Sequence, residues 1–345
     1  MRYDLVVNNL QLAISEDETI LQAIQRQGYT MPSSCLNGVC RICQYQLLDG
    51  VIQQSYPQRK IVKKCQSDKP MNGFACTSRP RSNIRIVIDE LKCSGELAVK
   101  KLNCSIQSVE KLNHDVYQVK LQLPATASQS VSYHAGQYLD LFLPNGKSAS
   151  FSIGSAPEAG RDLELHIRHN PHSELSSALL KHLQNEQQID VELAKGEAFI
   201  DANKLDSQSI VILAAASTGF SQVKSVVEHL LAQGAKNQIH IYWGVRVASD
   251  LYWSLLPEQW AAEHAQITYH PVISDPTEAC EWTGRIDLLP AAVLQDFEQF
   301  SDVTMLASGS PAMVYALLGA CESKGMLESQ LLSDVLAYAP RPAKA

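Results

Sequence analysis

The residues best able to carry chemistry in this chain are four of its nine cysteines. Cys35, Cys40 and Cys43 stand in the order C-x4-C-x2-C, and Cys76 follows much later in the chain. Two irons bridged by two sulfides need four thiolates, two for each iron, and this spacing is that of a plant-type [2Fe–2S] cluster. Gly38 allows the short loop between the cysteines to wrap round a cluster and to point backbone N–H groups at its sulfurs. The pattern therefore predicts an electron-carrying centre.

Two other interpretations of these cysteines stay open, a zinc site with four cysteine ligands and a set of unrelated thiols. Zinc sites usually contain two short cysteine pairs, whereas Cys76 stands alone at the far end of the motif. The spacing therefore favours the iron–sulfur cluster over both alternatives.

Composition and charge narrow the class of protein. Of the 345 residues, 45% are apolar and 19% are charged, which is normal for a folded chain with real cores, and the length predicts two or three domains. The net charge is −7 with no basic run, so we expect no nucleic-acid partner. We also expect no membrane span and no signal segment, because no stretch is apolar for long enough. A cysteine cluster suits a reducing compartment, so we expect a cytoplasmic protein.

Residues 1–92 resemble a plant-type ferredoxin domain, through SSCLNGVCRICQ at 33–44 and GFACTSRP at 73–80. The resemblance implies an α+β fold of the β-grasp type, with the four cysteines as ligands of the cluster. One departure is Arg41, since ferredoxin domains often carry glycine directly after the second cysteine. The arginine should change the local backbone and add a positive charge beside the cluster.

The hydrophobic pattern of residues 1–92 agrees with that fold. A helix is predicted over Ser15–Gln27, with Ser15 and Glu18 as a capping box and Gly28 as the stop. The dipeptide Asp49-Gly50 is a turn signal and should end a strand. Strands are predicted at Tyr3–Val7, Leu10–Ile14, Tyr45–Leu48 and Ile84–Ile88.

The pattern of predicted secondary structure changes twice after residue 101. From 102 to 205, short strands are separated by Gly, Pro and Asn turns, which is typical of a small antiparallel β-barrel, and one helix is predicted over Glu174–Leu183. From 206 to 345, buried strands alternate with helices, which predicts an α/β domain with a parallel, doubly wound sheet. The chain is therefore predicted to be multidomain, with domains at 1–92, 102–205 and 206–345.

Residues 102–338 resemble the ferredoxin–NADP reductase superfamily, and LELHI, KGEAFI, STGFS and IYWG are especially similar to its NAD(P)H:flavin reductases. Ala135-Gly136-Gln137-Tyr138 is similar to the G-Q-Y strand of the family. Ser150-Phe151-Ser152 is similar to the end of its R-x-(Y/F)-S flavin motif, although the tripeptide alone also suits an ordinary barrel strand. The resemblance implies that Phe151 packs against a flavin, FAD or alternatively FMN. It also implies that Ser152 lies beside the reactive N5 atom as a catalytic residue.

Two positions that normally grip the flavin phosphates depart from the family pattern. The motif arginine is Ala149, and the glycine of a G-x-x-S motif is Ser173. Lys147 lies two residues before Ala149, on the same strand face if the strand is regular, and Arg168 is a second candidate for the missing charge. A lysine lacks the two-pronged fork of arginine, so we expect a weaker hold on the flavin. The other flavin-side residues that the resemblance implies are His166, Ser176 and Tyr338.

Two of these assignments have alternatives. Tyr338 lies where the family keeps a C-terminal aromatic over the flavin, but a tyrosine at a strand end is an equal explanation. His166, His169 and His172 recur every third residue, which raises the option of a metal site. Because this segment is predicted to pass from strand to loop, a period of three does not bring the three rings together, and we do not expect a metal there.

Three later motifs resemble the nicotinamide side of the family. Ser217-Thr218-Gly219 resembles its G-T-G turn, which presents backbone N–H groups and a helix N-terminus to a pyrophosphate. Ser308-Gly309-Ser310-Pro311 resembles its C-G-x-P motif, and the resemblance implies that Ser308 is a catalytic residue that orients the nicotinamide. Gly244-Val245-Arg246 follows the second strand, where the adenosine ribose usually lies, and the choice between NADH and NADPH stays open. The residues implied for this cofactor are Thr218, Gly219, Gly244, Arg246 and Gly309.

Together these patterns indicate an iron–sulfur flavoprotein reductase. Electrons would pass from NAD(P)H through flavin to the [2Fe–2S] cluster and then to a partner, a terminal oxygenase or another electron-accepting enzyme such as a dehydrase. The architecture resembles the reductase components of bacterial oxygenases and of the deoxysugar dehydrase system. Two alternatives remain at this point: a flavin reductase that releases reduced flavin, and a ferredoxin-like carrier whose reductase half has degenerated.

Overall fold

The computed structural model describes residues 2–8, 10–33, 36–39, 41–56, 59–65, 69–89, 91–93, 99–125, 133–202, 205–206, 209–275, 282–339 and 341. The chain divides into two compact units. The first contains residues 1–100 together with 336–341, and the second contains residues 101–335 together with 342–345.

The first unit is a mixed β-sheet with one α-helix packed on it. Its elements are β1 (Arg2–Val7), β2 (Leu10–Ser15), α1 (Ile20–Arg26), β3 (Tyr29–Thr30), β4 (Gln44–Tyr56), β5 (Arg59–Cys65), β6 (Met71–Phe74), β7 (Ser78–Pro80), β8 (Ile84–Val87) and β9 (Lys92–Cys93). The sheet order is β2-β1-β8-β4-β5, with β6 and β7 also paired to β4. β1 is antiparallel to β2 and parallel to β8. This is the predicted β-grasp arrangement, closed round its own apolar core.

The helix of this unit begins five residues later than the sequence predicts. Its N-cap is Thr19, and Thr19 and Gln22 form the capping box, each side chain accepting a hydrogen bond from the other's backbone N–H. Ser15 and Glu18 instead close the preceding turn, in which the Glu18 N–H donates to the Ser15 carbonyl and the Ser15 N–H donates to the Glu18 carboxylate, both at 3.1 Å. Two overlapping capping patterns are possible here, and the helix begins at the later one, directly before its first buried apolar residue, Ile20.

Asp49-Gly50 does not end a strand, so the predicted turn is wrong. β4 runs through it to Tyr56 and forms a hairpin with β5 that the sequence did not predict. The ladder between β4 and β8 shifts register between Leu47 and Asp49, as it does at a β-bulge. Gly50 has a φ of +103°, and a Cβ there would overlap the Asn83 carbonyl oxygen. A tertiary contact, and not a reversal of the chain, therefore requires the glycine.

The second unit begins with an antiparallel barrel. Its elements are β10 (Lys100–Lys111), β11 (Val116–Gln122), β12 (Tyr138–Phe142), β13 (Ser148–Ser152), β14 (Asp162–Arg168), α2 (Glu174–Asn185) and β15 (Gln188–Lys195). The strand order is β13-β12-β15-β10-β11-β14. The sheet curls so that β13 and β14, its two end strands, approach each other. Buried Leu179 and Leu183 of α2 join the barrel core.

The unit continues with a parallel sheet covered by helices. Its elements are β16 (Ile210–Ala216), α3 (Phe220–Ala232), β17 (Ile239–Val245), α4 (Leu255–Glu263), β18 (Ile267–Ile273), β19 (Arg285–Ile286), α5 (Leu289–Asp296), β20 (Val303–Ser308), α6 (Pro311–Glu322), β21 (Leu331–Leu332) and the first two residues of α7 (Asp334–Tyr338), whose remaining residues group with the first unit. The order is β19-β18-β17-β16-β20-β21, with each neighbouring pair parallel. Phe220 at the start of α3 stacks on Trp243 at 3.9 Å between ring centroids. This is the predicted α/β architecture.

The start of α3 joins the parallel-sheet part to the barrel through buried polar bonds. Four side chains donate to backbone carbonyls of the barrel: Ser221 to Ser152 at 3.2 Å, Gln222 to Gly136 at 2.6 Å, Lys224 to Gly154 at 3.2 Å and Ser225 to Ser155 at 2.7 Å. We call Ser221, Gln222, Lys224 and Ser225 the α3 clamp. Each of the four residues is at most 6% exposed, so water does not compete for these bonds. The clamp fixes the end of β13 against the N-terminus of α3.

Asp334, the first residue of α7, extends this contact. Its carboxylate accepts hydrogen bonds from the backbone N–H groups of Glu197 and Ala198 and from the Gln222 side chain, at 3.3–3.4 Å. Burial raises the pKa of Asp334 to about 7, although these hydrogen bonds act in the opposite direction. A buried carboxyl therefore ties the end of the chain to both parts of the second unit.

We predict that Gln222→Leu lowers the free energy of unfolding of the second unit by about 1–3 kcal/mol, because leucine keeps the volume but leaves the buried Gly136 carbonyl without its donor. Denaturant unfolding followed by tryptophan fluorescence measures this, since all four tryptophans lie in residues 243–282. Gln259→Leu is the control, because the Gln259 amide is exposed and contacts only its helix neighbour Glu263 among the described residues. Equal effects of the two substitutions would contradict the prediction.

We also predict a pH-dependent effect of Asp334→Asn. In the unfolded chain the carboxyl has an ordinary pKa of 3.8, whereas in the folded protein it keeps its proton up to about pH 7. The unfolded state thus binds fewer protons between these values, so wild-type stability falls as pH rises through this window, by up to roughly 1.4 kcal/mol per pH unit. Asparagine does not titrate, so the free energy of unfolding of the variant should rise relative to that of wild type from about pH 4.5 to about pH 7, which is the range between the unfolded and folded pKa values of Asp334.

Urea unfolding of both proteins at several pH values across that window measures the difference. Asp302→Asn is the control, because the Asp302 side chain is exposed in the turn before β20. A stability difference between wild type and Asp334→Asn that stays constant with pH would show that the Asp334 carboxyl does not retain its proton.

Candidate functional site

Strand pairing brings two of the predicted cluster ligands together in the first unit. Cys43 directly precedes β4 and Cys76 follows β6, and these strands pair so that the Ala75 N–H donates to the Cys43 carbonyl at 2.8 Å. Both cysteines are buried, at 1% and 8% exposure. A hydrogen bond from the Cys76 thiol lowers the pKa of Cys43 to about 6. An iron–sulfur cluster needs neighbouring thiolate donors, so two adjacent buried cysteines, one with a lowered pKa, fit one. Cys35 and Cys40 lie outside the described residues.

The described residues of the cluster loop, between Cys35 and Cys43, include three with unusual backbone angles. Leu36, Gly38 and Arg41 all have positive φ angles, of +53°, +79° and +64°. Only glycine adopts this left-handed conformation freely, and another residue pays about 1–2 kcal/mol. Arg41 thus holds the conformation that the glycine common at this position in ferredoxin domains would adopt without strain. The expectation that the arginine changes the local backbone, relative to a glycine at this position, stays a prediction.

The seam between β13 and β14 is the candidate flavin site. These are the end strands of the barrel, and no ladder joins them among the described residues, so their facing edges present backbone donors and acceptors. Phe151 packs against the barrel core beside the seam. In the described part of the chain no hydrogen bond reaches the Ser152 hydroxyl, whereas the Ser150 hydroxyl donates to Asp140 at 2.6 Å. A polar strand edge with one uncommitted hydroxyl fits the edge of a planar flavin, whose ring atoms need such partners.

The predicted phosphate contacts are only partly organised for that role. β13 begins at Ser148, so Lys147 belongs to the exposed turn before it and does not share a strand face with Ala149. Ser173 is the N-cap of α2, and its hydroxyl accepts a hydrogen bond from the Ser176 N–H at 3.2 Å. The Ser176 hydroxyl in turn accepts from the Asn170 N–H at 2.9 Å. α2 begins directly after this loop at Glu174. The positive end of the helix dipole lies at its N-terminus, which suits a phosphate.

His166 and Arg168 make contacts between the barrel and the parallel-sheet part. The fully buried His166 ring lies 2.9 Å from the Tyr252 hydroxyl through Nδ1 and 2.9 Å from the Glu164 carboxylate through Nε2. Arg168 lies 3.2 Å from Asp115 and 3.6 Å from a carboxylate oxygen of Asp250. Both side chains thus have protein partners, and their roles towards a flavin remain predictions.

A buried ion pair reinforces this contact, and sequence reasoning missed it. Lys224 lies 3.2 Å from Glu164 and 2.8 Å from Glu228. Burial alone would raise the pKa of Glu164, but the hydrogen bond with His166 and the charge of Lys224 overcome it and lower the pKa to about 2. A signal was present in the sequence, because the polar residues of SQVKS occupy the start of a helix whose later residues are mostly apolar.

Small residues form a cradle at the carboxyl ends of β16 and β20. A Cβ on Gly219 would overlap the Ser308 carbonyl, and a Cβ on Gly309 would lie 2.9 Å from that of Ala216. Ser217 has a left-handed φ of +57°, and its carbonyl accepts from the Trp243 indole at 2.9 Å. The two turns therefore pack backbone against backbone at the edge where α/β sheets bind ligands. The glycines and the start of α3 fit a dinucleotide pyrophosphate.

Three other residues predicted to bind cofactors lie in different surroundings. Gly244 lies beneath α5, since a Cβ there would come within 3.0 Å of Leu289, so helix packing already explains this glycine. Arg246 is 71% exposed and lies 3.4 Å from the Asp275 carboxylate. Residues 336–341, which include Tyr338, group with the first unit. Cofactor contacts of these three residues remain predictions.

The two predicted catalytic serines, Ser152 and Ser308, both contact the start of α3. Ser308 packs its backbone on Gly219, and the Ser152 carbonyl accepts from Ser221 two residues later. No described hydrogen bond involves the Ser308 side chain, which is 9% exposed. The beginning of α3 therefore links the candidate flavin seam to the candidate nicotinamide cradle. An arrangement of this kind can hold a hydride donor and a hydride acceptor in one place.

Three family models match consecutive parts of the chain. They are the 2Fe-2S iron-sulfur cluster binding domain at residues 7–81, the oxidoreductase FAD-binding domain at 103–200 and the oxidoreductase NAD-binding domain at 213–318. The helices of the described residues include none long and apolar enough to cross a membrane.

Relatives with known roles match along nearly the whole chain. The CDP-6-deoxy-L-threo-D-glycero-4-hexulose-3-dehydrase reductase of Yersinia pestis is 30% identical over 317 residues, which is 92% of each chain. Reductase component 2 of the terephthalate 1,2-dioxygenase of a Comamonas species is 28% identical over 346 residues, which is 99% of each chain.

A solved structure agrees on the fold. The cytochrome P450 reductase GcoB of Amycolatopsis superposes with a TM-score of 0.79 at 23% identity and covers 96% of this chain and 98% of its own. The cluster cysteines, the flavin seam and the nicotinamide cradle thus stand in the order of the three matched domains. The chain therefore belongs to the ferredoxin–NADP reductase superfamily, as an NAD(P)H-dependent oxidoreductase with an N-terminal [2Fe–2S] ferredoxin domain fused to its flavin and nicotinamide domains.

Proposed function

We propose that this protein is the reductase component of a system with a separate terminal enzyme, an oxygenase or a dehydrase, to which it delivers electrons from NAD(P)H. The observation that carries the proposal is that one chain combines buried neighbouring cluster thiols with a flavin seam linked to a nicotinamide cradle. The Yersinia relative is named for a dehydrase and the Comamonas relative for a dioxygenase, which supports this class of partner.

We propose a role for each group of residues. Cys35, Cys40, Cys43 and Cys76 hold the cluster. The Ser152 hydroxyl donates a hydrogen bond at the reacting edge of the flavin, and Ser308 orients the nicotinamide above the Gly219 backbone. When bound, the flavin accepts a hydride and gives up single electrons, and the cluster carries those electrons one at a time. We propose domain boundaries at 1–92, 102–205 and 206–345, which the matched domains support.

We also propose a reducing compartment, such as the cytoplasm, for this protein. Cys43, Cys104 and Cys321 are buried and form no disulfide among the described residues. Disulfides are rare in reducing compartments such as the cytoplasm.

We predict that Cys43→Ser abolishes reduction of cytochrome c by NADH but leaves reduction of a small dye at the wild-type rate. The reason is that a cluster cannot assemble without this thiolate, whereas hydride transfer needs only the second unit. Iron content, visible absorption and steady-state rates with both acceptors measure it. Cys321→Ser is the matched control, because it removes another buried thiol, one in α6. Loss of dye reduction in a folded, flavin-loaded Cys43→Ser protein would refute the proposed division of roles.

We predict that Ser152→Ala slows flavin reduction by NADH by at least about tenfold, since a hydrogen-bond donor at the reacting atom stabilises the charge that develops there. The affinity for flavin should change little, because the hydroxyl does not reach the phosphates. Stopped-flow reduction and flavin titration measure the two quantities. Ser150→Ala is the control, since its hydroxyl is already bonded to Asp140. If both alanine variants reduce flavin at the wild-type rate, Ser152 has no catalytic role.

A further inference from the structure

Charge is distributed unevenly along the chain. Residues 1–92 carry 12 Lys and Arg and eight Asp and Glu, whereas the rest carries 17 and 28. The first domain is therefore positive within a protein of net charge −7. Between Glu18 and Asp68 there are six basic residues, and Asp49 is the only acidic one. Asp49 lies opposite Arg85 in the ladder between β4 and β8, and this stretch, which contains the cluster loop, is basic.

The cluster loop itself presents apolar and basic side chains to solvent. Leu36 is 58% exposed and Val39 is 69% exposed, although both sit among the cluster cysteines. Arg41 is exposed beside them. Two large apolar side chains left in water next to a redox centre are unexplained by the packing of the domain, and such a patch marks a contact surface.

The tip of the hairpin formed by β4 and β5 adds charge at the same place. A Cβ on Gly38 of the cluster loop would lie 3.2 Å from the Tyr56 ring, so this tyrosine packs directly on the loop. The Arg59 guanidinium lies over that ring, 5.4 Å from its centre. Ser55, next to Tyr56, donates from its N–H to the Thr77 carbonyl, beside Cys76. Arg59 is therefore held at the cluster side of the domain, and the next residue, the exposed Lys60, pairs with Ser55 in the same hairpin.

Two simpler explanations of these charges make different predictions. Lysines on an edge strand protect it against pairing with other chains, and β5 is at the end of its sheet. That role explains Lys60 but not the exposed Leu36 and Val39. Alternatively, a positive first domain could serve to attract the negative remainder of the same chain, in which case its charges would govern electron transfer within the protein.

We propose that Leu36, Val39, Arg41, Arg59 and Lys60 form a docking surface for the electron-accepting protein, and that this partner carries carboxylates round its own redox centre. We call these five residues the cluster-side surface. The inference rests on the proposed function and adds the chemistry of the partner. An apolar centre with a basic rim is the arrangement that charge complementarity uses to steer a partner and fix its orientation.

Two probe proteins of opposite charge test the proposal: cytochrome b5, whose haem edge is surrounded by carboxylates, and cytochrome c, whose haem edge is surrounded by lysines. The full-length protein, loaded with its cofactors, should reduce cytochrome b5 with the higher kcat/KM at an ionic strength of about 10 mM, and the advantage should shrink by about 0.5 M, where exposed charges are screened.

The variant Arg59→Glu/Lys60→Glu should lower kcat/KM for cytochrome b5 roughly tenfold at low ionic strength and less than about twofold at high ionic strength. Arg59→Gln/Lys60→Gln should give an intermediate loss, and it guards against misfolding of the reversed variant. Lys181→Glu/Lys236→Glu makes the same charge change at exposed sites of the second unit and should have no effect. Arg41 is left unchanged, because its left-handed backbone would confound the result.

Bleaching of the cluster by NADH without any acceptor distinguishes the explanations. We expect equal bleaching rates in wild type and all variants. Slower bleaching in Arg59→Glu/Lys60→Glu would assign the charges to contact within the chain and overturn the proposal, as would an unchanged rate with cytochrome b5. A wild-type protein whose cluster does not bleach with NADH would refute the proposed function itself, and the docking surface with it.

Discussion

The second unit depends on hydrogen bonds between the side chains of one helix and the backbone of a barrel. The α3 clamp places four buried donors on the carbonyls of Gly136, Ser152, Gly154 and Ser155. Buried carbonyls without a donor are strongly unfavourable, so the two parts can separate only if water replaces every one of these bonds. The flavin seam and the nicotinamide cradle both adjoin this helix. Their relative position is therefore set by the clamp and by the Glu164–Lys224 ion pair beside it.

The flavin seam and the nicotinamide cradle are built from different structural features. The seam offers the polar edges of β13 and β14, which suit a planar ring with several polar atoms. The cradle instead lacks side chains at Gly219 and Gly309, which lets its two turns pack closely against each other. Ser217 occupies a left-handed position in the cradle without being glycine, and the Trp243 indole holds its carbonyl in place. Strain at a functional turn is thus balanced by a specific hydrogen bond.

Much of the fold could be predicted from the sequence because its signals are local. The cysteine spacing, the alternating strands after residue 101 and the strand–helix pattern after residue 206 need no knowledge of distant residues. The wrong predictions at Gly50 and at the start of α1 have different physical causes, a tertiary contact at the first and a choice between two local caps at the second. Gly50 is required by Asn83, and α1 starts at the later of two competing caps. His166 is bonded to Tyr252, 86 residues away, which no local pattern reveals.

One consequence of the clamp concerns how such proteins can diversify. The acceptors of its bonds to Gly136, Ser152, Gly154 and Ser155 are backbone oxygens, which any amino acid supplies, whereas the donors are particular side chains of α3. Mutations in the barrel at Ser152 or Ser155 therefore leave the interface intact, while changes at Gln222 or Ser225 do not. The barrel side chains remain free to vary with the flavin and its environment. The donors of these four bonds all lie on α3, so this part of the contact can be inherited with one helix, whatever side chains the barrel carries at its acceptors.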